Sequence, residues 1–381
     1  MTYLHVDTIT SQSSKHGGPC GDVVDTERTS SATTVILADG IGSGIRANVA
    51  ATMAVARLGE LMRRGFSQRQ AFASLVKTMN ASRDGAKPYA AFCVARILGD
   101  GESSVLSYDC PPPLFVAPRA ASVLTQRIEA IEGAVVGEAH CHLAGGEGLL
   151  LVSDGITQAG LGQGLREGWT ADGVAEFVGE SLDEGVSFAG LSDHVRRRAG
   201  VLWRKSAGDD CTVTLACCRK GIIVNILTGP PSSPAFDHET VNRFINREGF
   251  KIVCGATTGK IVAAVMGHRL QVLQDDPSML APPRYIIDDI DLVTEGAITL
   301  NQVYNVLDED ARQFEEDSGV TQLHQLLRVA DRVNLTVGVA VNPAGDSIAF
   351  RQRGVLGRTK IVPLLAEKLE NMGKLVVIDY T

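Results

Sequence analysis

The sequence predicts a chain of two domains: an α+β domain over residues 1–219, followed by a smaller α/β domain over residues 220–381. Three observations point there. The 381 residues suit two domains of roughly 100–200 residues each. Up to residue 218, short apolar runs stop or start at acidic turns, with helical stretches between them. Beyond Gly229-Pro230-Pro231 and Pro234, strand-like and helix-like segments alternate afresh, which is the pattern of an α/β domain.

Thr33 to Ala38 is a β-branched run ending at Asp39-Gly40. It reads as a buried strand that delivers a carboxylate into a turn. The stretch Ile45 to Arg64 has no proline, and Ile45, Val49, Met53 and Ala56 share one helical face, the signature of a core-facing helix. Phe72, Leu75, Val76 and Met79 follow at i, i+3, i+4 and i+7 spacing and predict a second helix. Ala90 to Leu98, Ser103 to Tyr108 and Leu114 to Ala117 read as strands, separated by Gly99-Asp100-Gly101 and by Pro111 to Pro113. Leu149 to Val152 is another apolar strand and runs into Ser153-Asp154-Gly155. A helix is expected near Val174 to Leu182, and a basic helix end at Arg196-Arg197-Arg198. Thr212 to Cys218 is a last strand, directly after Asp209-Asp210. In the second domain, Ile222 to Leu227 reads as a strand. Further strands are expected at 251–254, 285–287, 335–341, 346–351 and 375–379, and helices at 238–248, 258–267, 300–308, 320–332 and 361–372.

Lysine and arginine number 36 against 44 acidic residues, a formal net charge of −8. That is a poor footprint for nucleic acid, whose binding is carried by cations on phosphates. No stretch approaches the roughly 20 apolar residues of a membrane span. Residues 1–15 hold no apolar segment of a signal peptide. Neither nucleic acid nor a membrane is an expected partner, and a cytoplasmic setting is expected. The eight cysteines are scattered without a C-x-x-C pair, so no zinc site is expected.

The chemistry concentrates in four short motifs: Gly21-Asp22, Asp39 to Gly44, Ser153-Asp154-Gly155 and Gly208-Asp209-Asp210. Mg2+ and Mn2+ take oxygen ligands, chiefly carboxylates and water. Carboxylates at the ends of separate strands can converge on such ions, and an adjacent glycine lets the backbone turn sharply and approach closely. A single Asp-Gly is a turn signal far more often than a ligand. It is the set of four, each adjoining an apolar strand, that points to a metal site.

These motifs resemble those of the PPM family of metal-dependent Ser/Thr protein phosphatases, in the bacterial branch similar to the sporulation stage II protein E phosphatase. The matching stretches are KHGGPCGD (15–22), VILADGIGSGIRANVAA (35–51), YDCPPPLFV (108–116), LLLVSDGITQAG (149–160) and GDDCTVTLACC (208–218). The resemblance implies a four-layer α-β-β-α sandwich, two antiparallel sheets flanked by helices, with a site at one end between the sheets. It implies two Mn2+ or Mg2+ ions as cofactors. Asp39 would bridge them, with the Gly40 carbonyl on one, while Asp154 and Asp209 would ligate the second. Asp22 would act directly or through water, and Asp210 would orient a metal-bound water or support the ligands. The reaction implied is hydrolysis of phosphoserine or phosphothreonine in a phosphorylated protein by an activated water, in bacterial signalling.

Eukaryotic members of the family bind phosphate with an arginine near the first acidic motif. Here Lys15 and His16 occupy that region, Lys15 as a phosphate partner and His16 as a proton donor, against the alternative of an exposed polar loop. Arg46 and the Arg196 to Arg198 run are further candidates, set against plain solvated helix faces. In the second domain, Lys251 to Ile261 lays out strand, Gly/Thr turn and helix, which can present N–H groups to an anion. Gly255-x-x-x-Gly259-Lys260 is one residue short of a Walker loop, and Ile261 stands where a hydroxyl is required. A small phosphate or carboxylate ligand at Thr257, Thr258 and nearby amides is one reading, set against a plain tight strand-to-helix turn. Thr228 to Pro231 with Asp237, and Asp291 to Gly296, stand at other strand ends, where α/β sheets bind ligands. The second domain is therefore read as regulatory, or as recruiting a ligand or substrate, and a homodimer is compatible with the sequence. The rival reading is a catalytically weak phosphatase-fold module that switches partners while the second domain senses a ligand.

Overall fold

The computed structural model describes residues 3–15, 17–42, 44–82, 88–204, 208–273, 283–310, 318–340 and 354–381. The chain divides into two compact units, Tyr3–Lys220 and Gly221–Thr381.

Unit 1 holds two antiparallel sheets. The first contains β1 (Leu4–Ser13), β6 (Leu114–Ala117), β7 (Ala120–Val123), β10 (Gly148–Val152) and β11 (Cys211–Lys220), in the order β1-β11-β10-β6-β7. The second contains β2 (Asp22–Arg28), β3 (Ala32–Gly40), β4 (Ala90–Leu98), β5 (Glu102–Tyr108), β8 (Arg127–Ile131) and β9 (Ala134–His142), in the order β2-β3-β4-β5-β9-β8. Helices α1 (Ile45–Arg63) and α2 (Gln68–Asn80) pack on the second sheet. Helices α4 (Thr170–Asp183) and α5 (Phe188–Trp203) pack on the first, beside the single turn α3 (Asp154–Thr157). The result is the four-layer α-β-β-α sandwich.

Burial on both faces explains the continuous apolar runs. Val35 and Leu37 of β3 point into the core between the sheets, while Ile36 and Ala38 point under the helices. In β10, Leu149 and Leu151 face the inter-sheet core, and Leu150 and Val152 face α4 and α5. A strand covered on both sides has no polar face, so its sequence does not alternate. Strands β1, β2, β7, β8 and β9 escaped the sequence reading for the opposite reason. β1, β2, β7 and β8 lie at sheet edges, and few of their residues are fully buried; β9 alternates buried and exposed positions instead.

The reading of α2 holds, with Phe72, Leu75, Val76 and Met79 all buried. That of α1 is corrected. Ile45 is 70% exposed, Met53 is 58% exposed, and Val49 and Ala56 are exposed as well. The face that packs is Ala47, Ala50, Ala51, Ala54, Val55 and Leu58. Small side chains let α1 come down onto the end of β3: a Cβ on Gly40 would lie 1.9 Å from the Ala47 carbonyl oxygen. Ile45, Val49 and Met53, on the opposite face, lie outside.

Unit 2 is a mixed seven-stranded sheet, with β12 (Ile223–Thr228), β13 (Phe250–Cys254), β14 (Gln271–Val272), β15 (Arg284–Ile286), β16 (Leu292–Thr294), β17 (Arg332–Val337) and β18 (Leu375–Tyr380) in the order β14-β15-β16-β13-β12-β17-β18. Helices α6 (Asp237–Ile245) and α7 (Ala256–Met266) cover one face. Helices α8 (Ala297–Val306), α9 (Gly319–Val329) and α10 (Arg358–Asn371) cover the other. The strand expected at 346–351 lies outside the described residues. All eight cysteines are free thiols. Among the described residues, no helix is long and apolar enough to cross a membrane.

The two faces of α1 and the core of α2 make a paired prediction for urea unfolding. Phe72→Ala, which removes a buried ring 4.9 Å from that of Phe92, is expected to cost about 3–5 kcal/mol. Met53→Gln on the exposed face of α1 is expected to change stability by less than about 0.5 kcal/mol.

Candidate metal centre

Each sheet of unit 1 delivers acidic residues to the same end of the sandwich. Antiparallel pairing of β2 with β3 sets Asp22 directly opposite Asp39. In the other sheet, β10 pairs with β11, so Ser153 and Asp154 leave one strand beside the Asp209-Asp210 pair that enters the other. The Ser153 N–H donates to the Thr212 carbonyl at 3.0 Å, and the Thr212 N–H donates to Ser153 Oγ at 2.9 Å. Asp154 opens α3, and its Oδ2 accepts from Gln158 Nε2 at 2.9 Å. Gly155 packs so tightly that a Cβ there would lie 2.0 Å from the Asp210 carbonyl oxygen. The glycines beside Asp39 and Asp154 thus serve close contact between protein backbones.

Asp210 ties the sheets together. Its Oδ1 accepts the Lys15 N–H at 2.7 Å and its Oδ2 accepts the Gly21 N–H at 2.8 Å. The loop between β1 and β2 is thereby held at both ends. Gln12 reinforces it from β1, donating to the Asp22 carbonyl at 3.3 Å and to Thr212 Oγ1 at 3.1 Å.

The electrostatics are those of crowded like charges. Asp22 is 3% exposed, and among the described residues neither of its carboxylate oxygens has a hydrogen-bond partner. Burial pushes its carboxyl up to about 6; the nearby Thr212 and Ser153 hydroxyls pull the other way, without reaching hydrogen-bond geometry, and the Asp210 charge adds to the rise. Asp39 is pushed up to about 10, by burial first and then by the charges of Asp22 and Asp154. Asp154 is raised too, again chiefly by burial. Among the described residues, no group of three or more His, Cys, Asp or Glu side chains stands ready to enclose a metal ion. The case for a cation rests on the orphaned buried oxygens of Asp22 and on a donor set made of oxygen alone, which suits a hard divalent ion.

Residues 29–219, half of the chain, match the family model described as Stage II sporulation protein E (SpoIIE). The chain belongs to the SpoIIE family. Similar solved structures include the PP2C phosphatase domain with a fragment of the regulatory domain of SpoIIE from Bacillus subtilis, at 17% identity and a TM-score of 0.48, covering 57% of this chain and 65% of that one. The chain thus spans about two thirds of the length of that relative. The RsbU and RsbW domains of a Mycobacterium tuberculosis protein match at 16% identity and a TM-score of 0.46, over 64% and 68% of the two chains. RsbX in complex with magnesium matches at 16% identity and a TM-score of 0.42, over 57% and 100%. No curated protein sequence matches the chain.

In this SpoIIE-family domain the residues named from sequence fall into distinct places. The charges of Asp22 and Asp154 both act on Asp39, and that of Asp209 acts on Asp154. Lys15 belongs to the same end, with Nζ 3.8 Å from Asp209 Oδ1. His16 and Ser43 lie outside the described residues. Arg46 is exposed in the first turn of α1. The basic run of α5 has structural work: Arg196 pairs with Asp193 and Ser11, Arg197 pairs with Asp193, and Arg198 lies 5.8 Å over the Phe177 ring. Sequence reasoning missed Gln158 and Gln12. Gln158 stands four residues beyond Asp154 in a helical turn, a signal that was there to use. Gln12 lies about 200 residues from Thr212 on an edge strand, and no local pattern marks it.

Two measurements test this geometry. Asp210→Ala, which strips two hydrogen bonds from a charged acceptor, is expected to cost about 2–3 kcal/mol in urea unfolding. The second concerns the chain with divalent ions chelated. Asp22 and Asp39 are raised above the ordinary value of about 3.9, so the fold keeps protons that the unfolded chain releases. Their contribution is full below about pH 4 and is lost as pH rises through 6 toward 10. The thermal midpoint of Asp39→Asn is therefore expected to gain on the parent's steadily from pH 5 to pH 8.

Proposed function

We propose that residues 1–219 form a metal-dependent phosphoprotein phosphatase that hydrolyses phosphoserine and phosphothreonine in bacterial signalling. Membership of a phosphatase family supports the reaction class. The observation that carries the reading is the buried Asp22 carboxylate, orphaned opposite Asp39 and within reach of charge from the other sheet. Such a group calls for a cationic partner.

The oxygen-only donor set suits Mn2+ or Mg2+, two ions on this reading. Asp39 with the Gly40 carbonyl, Asp154 and Asp209 would hold them, and Asp22 would contribute directly or through water. Bound there, the ions would lower the pKa of a shared water toward neutrality and offset phosphoryl charge. Gln158 fixes the Asp154 carboxylate through its hydrogen bond. The Lys15 ammonium, beside Asp209, is placed to meet a phosphoryl oxygen of the substrate. Both Asp210 oxygens are committed to main-chain N–H groups, so Asp210 acts by holding the Lys15 to Gly21 loop against the site.

Purified chain with Mn2+ is expected to hydrolyse p-nitrophenyl phosphate and a phosphoserine peptide. Asp39→Asn is expected to lower kcat about a thousandfold or more, the scale of several kcal/mol of lost charge stabilisation. Absence of hydrolysis together with absence of Mn2+ uptake in calorimetry would sink this reading and favour a partner-switching module without catalysis.

A further inference from the structure

Unit 2 has a parallel core in the order β16-β13-β12-β17-β18. The chain starts at β12, moves outward through β13 to β16, then returns to the other side of β12 for β17 and β18. The order therefore reverses between β12 and β17. In open α/β sheets, ligands bind outside the carboxyl ends of the strands at such a reversal.

Several segments meet at that edge. The Gly229 N–H, just past β12, donates to Thr258 Oγ1 at 3.0 Å. The Gly255 N–H, just past β13, donates to the Thr294 carbonyl at 2.8 Å. The Gly338 N–H, just past β17, donates to the Thr228 carbonyl at 2.9 Å. The three clusters read separately from sequence are thus one continuous rim. Thr258 Oγ1 accepts from Gly229 there, so only its O–H could face an anion, and a charged partner is needed beside it.

That partner is Arg358, which the sequence did not mark. Its guanidinium lies flat against Gly229, where a Cβ would fall 1.9 Å from Nη1 and 2.1 Å from Cζ. Nη2 donates to the Ala340 carbonyl at 2.8 Å, and Nε is buried with no acceptor. Burial lowers its pKa, and among the described residues no carboxylate charge opposes that. Arg358 is also the first residue of α10, whose capping residue Gly357 supplies no side-chain hydrogen bond. The start of a helix is its positive end. A partly buried cation at that end, without a counter-charge among the described residues, weakens the fold unless an anion joins it.

We propose that unit 2 binds a small phosphate-bearing molecule where the carboxyl ends of β12 and β17 meet, with Arg358 as the anion-binding residue. The planar guanidinium fork matches a phosphate better than a point charge does. Phosphate, with more charge and more acceptor oxygens than a carboxylate, is the better complement to a cation flanked by the uncapped starts of α7 and α10. The inference is independent of catalysis in unit 1.

The test is calorimetric titration of the full chain carrying Asp39→Asn, with EDTA present so that no metal in unit 1 holds phosphate. The probes are inorganic phosphate and, separately, acetate. One phosphate per chain is expected to bind saturably, with acetate weaker. Adding Arg358→Gln is expected to weaken phosphate at least about tenfold. It is also expected to abolish the rise in thermal midpoint that phosphate gives the parent. If Arg358→Gln does not fold, Arg358→Lys replaces it, and unchanged affinity there overturns the role of the guanidinium. A parent that takes up no phosphate, phosphate binding that survives Arg358→Gln, or acetate binding tighter than phosphate overturns the proposal.

Discussion

Bringing Asp22, Asp39 and Asp154 together at one buried end of a sandwich works against electrostatics, and much of unit 1 is arranged to hold that placement. Burial raises each carboxyl, and the charges of Asp22 and Asp154 raise Asp39 further. No single loop could keep such groups together against their repulsion. The fold does it with strand register, which fixes Asp22 opposite Asp39 through a ladder running from residue 22 to residue 28. It does it again with β10 and β11, whose pairing carries Asp154 and Asp209 to the same end. Rigid elements place ligands more accurately than loops do.

The same demand explains the small residues around the site. Helix α1 sits almost on the backbone of Gly40 at Ala47, and the first turns of its inner face are alanine. Ile45, Val49 and Met53 are left in solvent, while Val55, Leu58 and Leu61 pack further along the helix. Asp210 spends its charge on main-chain N–H groups of the loop between the sheets. Two adjacent aspartates thus divide the labour: Asp209 faces Lys15 and Asp154, and Asp210 joins the loop to the strand end.

Unit 2 solves a different problem with the same edge-of-sheet geometry. Its strands end in Gly and Thr turns that interlock through main-chain hydrogen bonds. The interlocking uses up the N–H groups of Gly229, Gly255 and Gly338, which such turns would otherwise offer to an anion. What it leaves without a counter-charge among the described residues is Arg358, brought to Gly229 from a helix about 130 residues further along the chain.

By itself, the sequence determined the longer strands buried on both faces, the helix α2, the alternation of unit 2 and the four acidic motifs, but not the short buried strand β16. These are legible because each is written in consecutive residues: a run of β-branched side chains, a 3.6-residue period, or an Asp beside a Gly. The tertiary structure decided which face of α1 packs, since backbone proximity and not hydrophobicity selected it. It decided that the polar edge strands β1 and β2 exist, because their partners β11 and β3 supply the pairing. It also assigned Asp210 to the loop and brought Gln12, Lys15 and Arg358 to their places. Those contacts join residues from tens to about 200 positions apart, and no local pattern encodes a distance of that kind.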